Sequence, residues 1–284
     1  MSFSAVVLLG TVAYTVAQMA AGAMFSLPLP PPPDSALPWM LLANLLVVAC
    51  LAGFARLSDW PAPRLALALW AVAFLMGHLN NLIEGAFFDL FPARTLLTLL
   101  PMMAIPPAAA AATVAYARRH PARAAHATPL PSFGDLALRL LAVGVVYTVF
   151  YFAFGTIIFP YVRTFYATRV MPALGPLLAM QILARGPLFG LAVLLVVRMD
   201  PGSRRLHALL GGLALSVLGG VAPLIVPNSI LPDAVRWVHF CETVSENFFV
   251  GAFAGWLLSP SRAILAAPAR RAGAREEIAH GEAR

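Results

Sequence analysis

The sequence predicts an all-α integral membrane protein of about eight transmembrane helices, and three observations carry the prediction. Of the 284 residues, 61% are hydrophobic and only 11% are charged, with a mean hydropathy of +0.83. The apolar residues fall in continuous runs of about 20, the length a helix needs to cross a hydrocarbon core. Within those runs polar and apolar residues do not alternate, which excludes a transmembrane strand barrel. The eight runs lie at 3–27, 37–57, 65–91, 96–117, 136–159, 173–197, 207–231 and 237–258.

The first run lacks a basic flank and is longer than the apolar stretch of a secretory signal, so it reads as a retained helix despite the small residues Ala21-Gly22-Ala23. A proline-rich loop, 28–38, comes next and should be extended and stiff. Asn44 in the second run is expected to bond another helix. The third run holds His78, Asn80, Asn81 and Glu84, which span roughly 160° of a uniform helix wheel, with Asp89 at its outer boundary. The fourth carries Pro101, Pro106 and Pro107, each of which removes a backbone bond. The stretch 118–135 reads as a linker, with His120 and His126 solvated. The fifth run is aromatic and is expected to close at Pro160; in the sixth, Arg185 sits near mid-membrane, where a cation needs a carboxylate or carbonyls. Glu246 is the partner favoured by depth. The seventh contains Gly219-Gly220, Pro223 and Pro227, and 259–284 reads as a polar tail.

The eighth run contains His239, Glu242 and Glu246. Positions i, i+3 and i+7 fall within about 60° of one another on a helix, so all three share a face. A carboxylate at bilayer depth costs about 2.5–3.5 kcal/mol, which is tolerated where the group faces protein and finds partners. With antiparallel third and eighth helices, Glu84 and Glu242 lie at matching depths of roughly 10 Å, and His78 and Glu246 at roughly 15–20 Å. The sequence thus predicts that helices three and eight are neighbours. It predicts one buried polar cluster of His78, Asn81, Glu84, Arg185, His239, Glu242 and Glu246, open to the outer side.

Internal matches suggest two parallel four-helix repeats, 1–117 and 136–258. Tyr14-Thr15-Val16 recurs as Tyr147-Thr148-Val149, and Ala20 and Gly22 recur as Ala153 and Gly155 at the same offsets. Every basic residue is arginine; this and the abundant alanine, glycine and proline point to a high-GC bacterial genome. With the N-terminus inside, thirteen arginines fall in inner loops and four in outer ones, which places both termini in the cytoplasm and the chain in the inner membrane. The net charge of +7 is thereby explained without a nucleic-acid partner. Cys50 and Cys241 are expected to be buried thiols rather than a disulfide.

Three functional readings stay open. The cluster could pass protons or bind an ion or small molecule in a transporter. It could hold a divalent metal through His78, His239, Glu242 and Glu246 and hydrolyse a substrate. It could be a hydrogen-bonded zipper in a structural subunit. The adjacent-glutamate pair used by one class of intramembrane protease is absent from the membrane runs; Glu276-Glu277 lies in the tail. No nucleotide-binding loop, HExxH, GxSxG or CxxC pattern occurs.

Overall fold

The computed structural model describes residues 1–25, 33, 35–118, 131–167, 172–228 and 231–260. Among them the chain forms helices and no strand. The long helices are α1 (Phe3–Phe25), α2 (Ala36–Leu57), α3 (Ala62–Phe87), α4 (Ala93–Ala117), α5 (Phe133–Tyr166), α6 (Leu174–Met199), α7 (Arg204–Ile225) and α8 (Asp233–Leu258). The first seven are long and apolar enough to cross a membrane. α8 is set apart by composition, since it carries Asp233, Arg236, Glu242 and Glu246. Its 26 residues still reach about 39 Å, and its Arg236, Glu242 and Glu246 are buried in the bundle. The chain is an all-α membrane protein. His120, His126, Arg169, most of the 28–38 loop and all of 261–284 lie outside the described residues.

α1 packs on α2 and α4, and α3 packs on α4; in the later part of the chain α5 packs on α6 and α8, and α7 packs on α8. The two groups meet through α2 and α3 on one side and α6 and α7 on the other. α1 and α5 therefore sit at the periphery. Leu8, Val12 and Met19 of α1 and Leu138, Val145 and Val149 of α5 point outward, as residues facing lipid should. The centre is apolar and tightly filled, by Leu65, Leu69, Val72 and Met76 of α3 against Phe189, Val193 and Val196 of α6 and Leu215 and Leu218 of α7. In lipid such contacts are held by close packing and interhelical hydrogen bonds rather than by water exclusion. Asn44 supplies one of those bonds as expected, donating to Thr15 Oγ1 at 3.1 Å and Gln18 Oε1 at 2.9 Å on α1.

Among the described residues three helices contain a π-turn: Leu75–Leu79 in α3, Gln181–Arg185 in α6 and Val217–Val221 in α7. In each, an amide donates five residues back: Asn80 to Leu75, Gly186 to Gln181 and Ala222 to Val217. In α6 and α7 the wide turn ends two residues before Pro187 and Pro223, which have no N–H to continue an α-turn. α4 runs unbroken through its three prolines, and Trp70 Nε1 of α3 donates to the Ala104 carbonyl there at 3.0 Å.

The fifth helix departs from expectation. It continues through Pro160 to Tyr166, 34 residues in all. Proline deletes only the bond to the carbonyl four residues back, here that of exposed Thr156, so the helix tolerates it. This extension carries Tyr166 to the site. The cysteines also differ from expectation: Cys50 is half-buried and Cys241 exposed, since Cys241 lies on the outward side of α8.

Arginines finish the helix ends, Arg236 buried and Arg118 half-buried. Arg236 donates to the Leu224 and Ile225 carbonyls at 2.8 and 3.1 Å, where α7 stops, and Arg118 donates to Ala55 and Ser58 at the end of α2. A helix C-terminus presents carbonyls without amide partners, and a guanidinium satisfies both them and the dipole. At the same end of the bundle as Arg118, His207 Nδ1 is 2.8 Å from Ser259 Oγ and its Nε2 is 3.0 Å from the Asp200 carbonyl. Burial holds the Asp200 carboxyl above the ordinary carboxylate range, against the opposing pull of His207 and the Gly202 amide.

Candidate functional site

The residues expected in the polar cluster fall into three sets, with Glu246 between two of them. Arg185 is the centre of the first. It is buried, and its Nε donates to Asn80 Oδ1 at 2.8 Å while Nη2 donates to Glu84 Oε2 at 3.0 Å. Its guanidinium carbon stands 5.3 Å from the Tyr147 ring centroid, and the Gln181 amide oxygen is 3.5 Å from Nη1. Arg185 thus meets the carboxylate of Glu84 rather than the expected Glu246. The Glu84 side chain is 36% accessible, so one end of this pair lies at the bundle surface.

The second set is a chain across α5 and α8. Tyr166 hydroxyl and His239 Nε2 are 2.8 Å apart, and His239 Nδ1 is 2.6 Å from Glu242 Oε2. A carboxylate only accepts, so Nδ1–H donates to it. In a neutral imidazole Nε2 then accepts from the tyrosine hydroxyl. The three groups are lined up to pass a proton from the bundle surface, where His239 is 17% accessible, to Glu242, at 9%.

Glu246 stands between the two. It is 4% exposed, and its Oε1 is buried with no hydrogen-bond partner among the described residues. It feels the charges of Arg185, Glu242 and Glu84, and Tyr151 lies within electrostatic range of all four groups. Two carboxylates, Glu84 and Glu246, therefore act on one guanidinium, and Glu242 lies in electrostatic range of Glu246. Glu84 is neutralised by Arg185, and Glu242 is held by His239. Glu246 is left over, and an isolated buried carboxylate needs a proton or a cation.

The third set was expected in the same cluster and is not there. His78 turns to α1, where its Nε2 is 3.0 Å from the Tyr14 hydroxyl, and Asn81 donates to Gly77 of its own helix at 2.9 Å. The π-turn is the cause. It inserts one residue into α3 just before Asn80, which rotates the remainder of the helix by about 100° relative to a uniform wheel. Asn80 and Glu84 thereby face α6, while His78 faces away.

Nor do α3 and α8 meet directly at this level. Gly219 of α7 lies between them: a side-chain carbon there would stand 3.3 Å from the Met76 carbonyl and 3.1 Å from Asn247 Nδ2. Arg185 of α6 makes the bridge instead. Accordingly His78, His239, Glu242 and Glu246 do not form a metal ligand set; among the described residues no three His, Cys, Asp or Glu side chains are placed to hold a metal ion. The aromatic residues of α5 pack against α8, with Phe150 and Phe154 stacked on Phe249 at 5.6 and 6.2 Å.

Tyr166, Tyr147 and Gln181 belong to the site and were not read from the sequence as members of it. The mid-helix glutamine four residues before Arg185 was the available signal. No protein-family model, curated protein or solved structure matches the chain.

Proposed function

We propose that this chain is a transporter, or an ion- or small-molecule-binding protein, of a bacterial inner membrane, and that Glu246 takes up a proton or a small cation. The observation that carries the reading is the buried Glu246 Oε1 without a hydrogen-bond partner among the described residues, on a carboxylate in electrostatic range of an arginine already paired with another glutamate. The Tyr166–His239–Glu242 chain leads from the bundle surface to Glu242, one helical turn from Glu246 and in electrostatic range of it. The excess of carboxylates favours a cationic ligand over an anionic one. The donor set argues against the metal-dependent hydrolase.

Both termini are placed in the cytoplasm by the arginine distribution, and the Tyr166 end then faces outward. Reporter fusions after residue 258 and in the 28–38 loop are expected on opposite sides of the membrane, with the first inside; a C-terminus found outside reverses the access route. Residues 1–117 and 136–258 are read as parallel repeats. In support, the packing order of the helices is the same in both. α3 and α7 also each run 13 α-helical residues before a five-residue π-turn. Two such bundles around a shared polar site suit alternating access.

Transport in proteoliposomes tests the function. A pH gradient is imposed across vesicles containing a pH-sensitive dye, and Na⁺, K⁺ and a panel of primary to quaternary amines are added. At least one should collapse the gradient only when the protein is present. Glu246→Gln and Glu242→Gln, which keep shape and remove charge, should abolish that response without lowering the melting temperature. If every compound leaves the gradient intact and Glu246→Gln melts earlier than the parent protein, the carboxylate is structural and the reading fails.

A further inference from the structure

A second polar feature lies far from Glu246, at the end of the bundle that carries Asp200. A cleft of about 410 Å³ opens between the start of α5, the start of α7 and the end of α8. This is within the size range of small-molecule sites. Arg139 and Arg204 line it, together with Asp135, Leu138 and Trp256. Arg139 is held in place on two sides. Its Nη2 is 3.0 Å from Asp135 Oδ2, and its Nη1 donates to the Leu257 carbonyl at 2.8 Å. Guanidinium has five N–H donors in all, so donors remain for a further acceptor. Arg204 is exposed and lies over the Trp256 ring, 4.9 Å from its centroid.

With Asp135 matched to Arg139, the lining keeps one net positive charge. Its flanks are greasy and outward-facing: Leu138 is 67% exposed and Trp256 48%. A tryptophan at the end of a membrane span marks the headgroup level. Positive charge, a spare guanidinium fork and an apolar flank at that level are the chemistry of a phosphodiester with acyl chains attached. A smaller cleft of about 200 Å³ sits at the corresponding place beside α1, lined by Arg56, Arg118 and Phe3. It lies at the same end, since Asp59, on the turn after α2, is in electrostatic range of Asp200.

We infer that the cleft between α5, α7 and α8 is a binding site for an anionic phospholipid, with its phosphate on Arg204 and Arg139 and its glycerol and acyl region along Trp256 and Leu138. The site is independent of Glu246 and of the transport reading.

Native mass spectrometry of the full chain in detergent tests it, with phosphatidylglycerol, phosphatidylcholine or inorganic phosphate added at equal concentration. The parent protein should retain phosphatidylglycerol in preference to phosphatidylcholine, and inorganic phosphate should not displace it. Arg204→Gln should weaken phosphatidylglycerol binding about fivefold, the effect of one basic residue at an anionic membrane surface. Arg204→Lys, which keeps the charge, should retain the preference, as should Arg94→Gln, an exposed arginine on α4. Equal retention of the two lipids, or an unchanged preference in Arg204→Gln, overturns the assignment. Displacement by inorganic phosphate makes the occupant a free anion and overturns the lipid. A loss in Arg204→Lys as large as in Arg204→Gln shows that packing on Trp256, not phosphate, sets the binding and overturns the assignment as well.

Discussion

Arg185→Met is expected to destabilise the protein by about 3 kcal/mol, near the lower end of the range for breaking a buried ion pair. The substitution keeps an unbranched apolar stem and removes the guanidinium, its charge and all its donors. Asn80 Oδ1 then loses its partner, and Glu84 Oε2 loses its counter-charge. Glu246 loses the one positive charge that offsets it. The cost stays at the low end because the Glu84 side chain is 36% accessible and water can reach the abandoned carboxylate. Arg185→Met/Glu84→Gln should recover much of the loss, because the stranded charge is then gone as well. Arg185→Lys should not rescue fully: a single ammonium cannot serve Asn80 and Glu84 along the two directions of the guanidinium fork. Thermal melts in detergent read all three. A double variant no more stable than Arg185→Met would show that the cost lies in lost packing against Tyr147 and not in the ion pair.

The same residue shows what could and could not be read from the sequence. An arginine in the middle of an apolar run must find a carboxylate or carbonyls, and that much is dictated by the cost of a bare charge in hydrocarbon. Which glutamate answers depends on helix phase, and phase is what the π-turns change. On a uniform wheel His78, Asn81 and Glu84 share a side. With one residue inserted at Leu75–Leu79, Asn80 and Glu84 swing toward α6 while His78 meets Tyr14. In α6 and α7 a proline just beyond the turn was a visible warning of rearranged backbone bonding; α3 has none.

The eighth helix was more legible because it has no such turn. His239, Glu242 and Glu246 stand on one side of it, as the 3.6-residue period requires, and their burial is explained by the energetics of carboxylates in a bilayer. Its donor Tyr166 was hidden by Pro160, which suggested the end of a helix that in fact continues for six more residues. Depth matching placed the third and eighth helices side by side. It could not register that α7, with glycine at 219 and 220, is thin enough there to be accommodated between them.

Gly251→Leu is expected to cost more than about 3 kcal/mol, at or beyond the upper end of the usual cost of overpacking. Gly251 and Gly255 form a G-x-x-x-G pair on α8, and they face Gly211 and the His207 carbonyl on α7. Even a methyl group at 251 would run into the Gly211 backbone, and one at 255 would run into His207. The obstacle in both cases is main chain, which cannot swing aside as a side chain can. The helices must separate, and with them would go the Ser216 bond to the Val244 carbonyl at 2.8 Å, close to Glu246 in the sequence of α8. None of these glycines has a positive φ, so the effect is one of space alone. Gly53 supplies the control. It is helical, and a side-chain carbon there meets nothing within 4 Å. Gly53→Ala should therefore stabilise the protein, by up to about 1 kcal/mol from helix propensity. The series Gly251→Ala, Gly251→Val and Gly251→Leu should lower the melting temperature progressively while Gly53→Ala raises it. If Gly251→Leu melts with the parent protein, the close crossing of α7 and α8 is not what holds Glu246 in place.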